Sequence, residues 1–197
     1  MWTAILLVVL LACIVVRLRG PPHMTWAAAP NGAVYWVRNV VDRHIVAERL
    51  ALLHDRLQRL VDGIRASYPG DPRLAALDRR WNGTIAEVER PGDIAYSINK
   101  RAVYLCVRDA RGQLENVEST TYVLLHEVAH VVTDTYGHPP EFWRNFRWLV
   151  ELAETMGMYK YQDFDATHVT HCGHRLGNNV VTCVRDRQCA SEVLTTR

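Results

Sequence analysis

The sequence predicts an α+β domain: a long N-terminal helix, a small antiparallel sheet, a buried helix and a following helix, all behind an apolar N-terminal segment. Three observations carry this. Apolar residues recur at spacings of three and four from about Val34 to Ser67. Short strand-like stretches separated by turn residues follow between Thr84 and Val107. Two more helical stretches then run from near Asn116 to Asp134 and from Pro140 to Met156. With 197 residues, there is room for one domain with a proper core. Hydrophobic residues are 49% and charged residues 22%, which excludes wholesale disorder. A net charge of +2 argues against nucleic-acid binding through bulk electrostatics. Five cysteines are too few for a disulfide-held miniprotein.

Met1 to Val16 is apolar except for Thr3, and the first charged side chain is Arg17. A cleaved signal peptide wants a basic start and a nearby small-residue cleavage site, and both are lacking here. The segment is therefore assigned to a membrane anchor over residues 1–19. Sixteen helical residues span roughly 24 Å, and snorkelling Arg17 and Arg19 extend the reach toward a hydrocarbon core of about 30 Å. The two arginines follow the apolar run, so the positive-inside tendency puts the catalytic domain on the cytosolic side of a single-pass chain. Residues 20–33, rich in Pro and Gly, read as a linker. The folded domain is expected over 34–197, with an irregular tail from about 158.

Within the domain, Val37, Val41, Leu50, Leu53, Leu57 and Leu60 mark the core face of the long helix. Tyr68-Pro69-Gly70 stops it, and Asp71 with Pro72 starts a short second helix. Thr84–Glu89, Ile94–Ile98 and Ala102–Val107 are strand candidates, with a hairpin turn at Asn99-Lys100-Arg101. The helix through Tyr122, Leu124, Leu125, Val128 and Val131 is apolar almost all round, and such a helix is buried.

That buried helix carries His126-Glu127-Val128-Ala129-His130, an HExxH pattern. On a helix, residues four apart are turned by about 40° and separated by roughly 6 Å along the axis, so both imidazoles reach one ion. Neutral imidazole suits zinc, and Glu127 is placed to take a proton from a metal-activated water. Histidines inside a buried helix need partners, and a metal supplies them. A catalytic zinc takes a third protein ligand. His138 is the first candidate, just past the turn at Gly137. Asp134, Glu151 and Glu154 are the others.

His126 to His130, followed by Gly137-His138-Pro139-Pro140-Glu141-Phe142-Trp143, resembles small zincin-type metallopeptidases of the SprT-like, WLM and YgjP-like groups. The resemblance implies a minimal zincin-like domain over roughly Val34 to Gly157, though the motif itself covers about 20 residues. It also implies that His138 is the third ligand, that Glu127 is the catalytic base, and that Phe142 and Trp143 pack the following helix under the site. The gap from His130 to His138 is longer than in YgjP-like proteins and shorter than in SprT-like ones, so no subfamily or substrate is carried over.

In the tail, His168, His171, Cys172, His174, Cys183 and Cys189 form no recognised zinc pattern and read as unpaired residues of a packed tail. A disulfide among Cys106, Cys172, Cys183 and Cys189, or a second structural zinc, is the alternative. One of His171, His174, Tyr159 or Tyr161 is a candidate to stabilise an oxyanion.

The expectation is thus a membrane-tethered, HExxH-type zinc metallopeptidase holding one Zn²⁺ per chain. His126, His130 and His138 ligate the ion and Glu127 activates water. A protein or peptide substrate lies along an edge strand such as Ala102–Val107. The rivals are a secreted metallopeptidase with a cleaved signal peptide and a non-catalytic, membrane-tethered binding module.

Overall fold

Where the sequence suggests a linker, the chain forms a hairpin. Strands β1 (Met24–Ala28) and β2 (Val34–Arg38) pair antiparallel, with Trp26 opposite Trp36. Pro30-Asn31-Gly32 supplies the turn. The Asn31 side chain accepts from the Ala33 N–H, and Gly32 takes a positive φ of 82°. The long helix, α1, starts at Arg43 rather than Val34 and runs to Ser67. Val34, Val37, Val40 and Val41 fit helical spacing, but β-branched residues also favour strands. Here burial alternates, with Tyr35 and Val37 inside and Val34 exposed.

The computed structural model describes residues 23–177 together with Ile5 and Val180. The proposed membrane segment 1–19 and the cysteines at 183 and 189 lie outside the described residues. No helix among the described residues is long and apolar enough to cross a membrane.

Helix α1 buries Val46, Leu50, Leu53, Leu57, Leu60 and Ile64 along one stripe. Helix α2 (Pro72–Arg80) begins as the sequence indicates, with the Asp71 carboxylate accepting from the Arg73 N–H at 2.8 Å and Pro72 at its first position. Three strands follow: β3 (Thr84–Glu87), β4 (Ala95–Ile98) and β5 (Ala102–Leu105). They lie in the order β3-β5-β4, with β3 parallel and β4 antiparallel to β5. This sheet is mixed, not antiparallel as expected. Asn99 and Lys100 both take left-handed backbone angles, φ 52° and 58°, and form the tight turn between β4 and β5.

This topology corrects the expected substrate strand. Ala102–Leu105 is the central strand, hydrogen-bonded on both sides, so its backbone is not open to a substrate. The edge beside the site is β4.

Helix α3 (Val117–Val132) is capped by the Asn116 side chain, which accepts from the Glu118 and Ser119 N–H groups. It is buried along nearly its whole circumference and packs against α4 (Pro140–Thr155). The tail is more ordered than expected. A single-turn helix α5 (Phe164–Thr167) leads into the short pair β6 (Thr170–His171) and β7 (His174–Arg175). A disulfide joins Cys106, just past β5, to Cys172 between β6 and β7. Of the cysteines among which the sequence reading allowed a disulfide as the alternative, these two are therefore the bonded pair.

A buried ionic cluster fixes the first hairpin to the sheet. The fully buried Glu87 carboxylate accepts from Arg38 Nε at 2.6 Å and from Arg108 Nε at 2.7 Å. It also takes the Arg38 backbone N–H, while Arg108 reaches on to Asp42.

Candidate metal centre

One turn of α3 sets His126 and His130 on the same face. The chain leaves the helix at Thr133, bends through Gly137 at φ 76°, and returns His138 to them. The Nε2 atoms of His130 and His138 each lie 3.2 Å from Nε2 of His126. Nitrogens bound to one tetrahedral zinc at its usual bond length sit about 3.3–3.4 Å apart, so the spacing is that of a three-histidine shell. Phe142 backs it, its ring centroid 4.9, 4.4 and 4.6 Å from those of His126, His130 and His138. Trp143 stacks at 5.5 Å from His138.

The local electrostatics keep these imidazoles neutral. Burial, then His130 and His138, hold His126 well below its ordinary range. Burial, then His138 and Lys100, lower His130 to about 4. Burial also lowers His138. A neutral imidazole has the free lone pair that a cation requires. The outer nitrogen of His126, Nδ1, has no hydrogen-bond partner among the described residues. The usual acceptor behind a ligating histidine is therefore missing at that position. Donor type, protonation and spacing nonetheless fit zinc.

Glu127 is 6% exposed and faces the cleft beside the histidines. Burial raises its carboxyl to about 7, partly offset by a hydrogen bond from Ser97 on the edge strand β4. The cleft is walled by Ile94 to Ser97 on one side and by Thr135 to His138 on the other, with Asn99 and Lys100 at its end. Tyr136, 84% exposed, stands at the rim.

Lys100 closes the end of α3. Its ammonium donates to the carbonyls of Thr133, Asp134 and Thr135, while Arg80 donates to those of Val131 and Thr133. Carbonyls at a helix C-terminus lack intrahelical partners, and cations suit that end of the helix dipole. Lys100 thus ties the β4–β5 turn to the loop that carries His138. Sequence reasoning saw Lys100 as a turn residue only, and it missed Ser97 altogether. Nothing in their spacing marks either, because both roles arise from strand pairing far from the helix in sequence.

The other ligand candidates point elsewhere. The Asp134 side chain is 74% exposed and bound by Arg80. Glu151 pairs with Arg147 on the same helix at 2.7 Å, and Glu154 is exposed. Of the suggested oxyanion groups, none lines the cleft. His171 is fully buried against the Ser119 hydroxyl and the Cys106 carbonyl, His174 contacts the Gly92 carbonyl, and Tyr159 packs near Tyr122. Donor atoms of Glu115, His171 and Cys172 cluster as well, but the Cys172 sulfur is taken by the disulfide, so this cluster offers no second zinc site among the described residues.

No family model and no solved structure matches this chain. Similar proteins occur in viruses, and each is described as uncharacterised. One from Acanthamoeba polyphaga mimivirus is 25% identical over 147 residues, covering 71% of this chain and 75% of its own length. One from Invertebrate iridescent virus 6 is 34% identical over 90 residues, covering 44% of this chain and 49% of its own. One from Invertebrate iridescent virus 3 is 35% identical over 66 residues, covering 33% of this chain and 42% of its own. The chain thus spans about half or less of the two iridescent virus relatives.

Proposed function

We propose that this protein is a zincin-type zinc metallopeptidase that hydrolyses peptide bonds in a protein or peptide, tethered to a membrane by its N-terminal segment. The observation that carries the reading is the convergence of three neutral imidazoles, with the Nε2 atoms of His130 and His138 each 3.2 Å from that of His126, and a buried carboxyl beside them. His126, His130 and His138 would hold the ion. A zinc ion so held supplies Lewis acidity toward a carbonyl and acidifies water.

The chain's own groups account for the rest. Glu127, with a carboxyl near 7, is matched to take a proton from water and return it to the leaving amine near neutral pH. Ser97 orients that carboxylate. The free edge of β4 offers backbone donors and acceptors to an extended peptide lying across the cleft. Lys100, through the carbonyls of Thr133 to Thr135, and Phe142, against the His138 ring, hold the histidine loop in place.

The disulfide bears on which side of the membrane the domain occupies. Such bonds persist in oxidising compartments and are rare in the cytosol. The Cys106–Cys172 bond therefore supports a domain on the oxidising side. The two-arginine charge bias argues for the cytosolic side, but it is the weaker argument, because folded domains translocate despite a few charges.

The test is metal content and peptidase activity of the full chain beside Glu127→Gln and His126→Ala. Wild type is expected to carry about one zinc and to cleave an unstructured protein substrate. Glu127→Gln should keep the zinc and lose at least about 10²-fold in kcat. His126→Ala should lose the zinc. Zinc retention with no cleavage by wild type of any of a broad panel of peptides would favour the non-catalytic binding module.

A further inference from the structure

We propose that the outward face of the β1–β2 hairpin, with the turn that follows it, rests on the lipid surface and holds the cleft at a fixed height above the membrane. This rests on the membrane-anchor reading of the N-terminal segment.

Of the nine exposed large apolar side chains among the described residues from 23 onward, five fall between Trp26 and Ile45, while Leu52, Tyr68, Ile98 and Tyr136 lie on later elements. Trp26 is 64% exposed, Val34 54%, Val40 44%, Val41 94% and Ile45 41%. Register explains the first two. Toward the hairpin turn, Trp26 pairs with Trp36 and Ala28 with Val34 on the face turned away from the core, while Ala27 and Tyr35 point inward; at the open end the same register sets the buried Met24 opposite Arg38, which binds Glu87. The two indoles lie 5.0 Å apart between ring centroids. A cross-strand pair of this kind stabilises a hairpin by itself, but that role does not require Val34, Val40 and Val41 to be exposed near it.

The position of the patch indicates what covers it. The Asn39 N–H donates to the His23 carbonyl, so the turn bearing Val40 and Val41 lies where the chain arrives from residue 22. The apolar run ends at Val16, eight residues before Met24. Eight residues reach at most about 28 Å when fully extended, so the hairpin cannot stand far from a bilayer that the run enters. Charge agrees as well. Asp42 is the sole carboxylate between Met24 and Ile45, and Arg108 already binds it. The patch therefore shows lipid phosphates no unpaired negative charge. Tryptophan also favours the headgroup boundary, where its ring is half apolar and its N–H stays wet.

The experiment uses the full chain with Trp2→Phe, so that the remaining indoles all lie beyond the apolar run. It is reconstituted with phosphatidylcholine vesicles whose acyl chains are brominated close to the headgroup, or are left plain. Expected are co-flotation with both vesicles and a loss of roughly a third of the indole emission on the brominated ones, since two of the five remaining indoles lie on this face. Adding Trp26→Phe and Trp36→Phe should abolish most of that loss while flotation persists. Flotation with equal emission on both lipids overturns the docking and leaves the anchor standing. Quenching undiminished in the triple variant also overturns it, because another face then meets the lipid. Failure to float overturns the anchor reading and the docking together. Equal emission combined with a detergent-stable dimer that the two phenylalanines dissociate would assign the face to a second copy of the chain instead.

Discussion

Glu87 and His126 are both shielded from solvent, yet their surroundings differ in kind. Around Glu87 every charge is answered within the chain: two guanidinium groups and a backbone N–H meet one carboxylate, and Asp42 takes the remaining valence of Arg108. Around His126 three like groups converge, and its outer nitrogen has no partner among the described residues. Burying polar groups is costly in either place. The first cluster offsets the cost with its own members and joins hairpin to sheet. The second turns three neutral nitrogens toward one another, an arrangement that suits a cation at their Nε2 atoms, while the His126 Nδ1 behind them stays without a partner among the described residues. Internal satisfaction is thus what separates a structural cluster from a candidate site here.

The comparison can be broken at either end. Glu87→Ala should have the largest effect, because it leaves Arg38 and Arg108 facing each other without their shared anion. A loss of about 3–5 kcal/mol is expected in urea unfolding, with or without metal. His126→Leu should do the opposite in the metal-free protein. Removing an unsatisfied buried nitrogen should leave its stability unchanged or raise it by about 1 kcal/mol. The stabilisation by zinc, about 2.7 kcal/mol in wild type at a hundredfold excess over Kd, should vanish. A large loss of metal-free stability in His126→Leu would mean that the two clusters are alike after all.

Lys100→Met sharpens the comparison from the side of the loop. It takes from the carbonyls of Thr133, Asp134 and Thr135, at and just past the end of α3, their shared donor, and calorimetric titration should show zinc binding weakened by about 10-fold. Arg at this position should recover part of that. Glu151→Gln should do least. Its partner Arg147 lies on the surface one helical turn away, so a change within about 0.5 kcal/mol and unaltered zinc affinity are expected. A marked loss of zinc affinity would make Glu151 a ligand and dismantle the three-histidine assignment.

Much of the site is visible in the sequence because it is local. His126, Glu127 and His130 share one helical turn, and helix geometry alone aligns the two imidazoles. His138 follows after a glycine bend, near enough in sequence for its return to be foreseen. The apolar surround of α3 likewise follows from periodicity. The first hairpin was misread because Val34, Val37, Val40 and Val41 fit helical spacing, whereas only Val34 and Val37 lie in β2, and they face opposite ways there. The tail was unreadable because its order depends on the bond from Cys172 to Cys106, 66 residues away.

By itself, then, the amino-acid sequence determined the body and end of α1, helices α2 to α4, the Asp71 cap, and the donors that converge from one turn and the bend beyond it. These depend on spacings of a few residues, which backbone geometry converts directly into direction. Tertiary structure alone decided that β4 is the open edge, that Ser97 meets Glu127, that Lys100 closes the helix end, and that Glu87 gathers its arginines. Each of these brings together groups from separate elements, and which elements become neighbours is settled by burial of the whole chain at once.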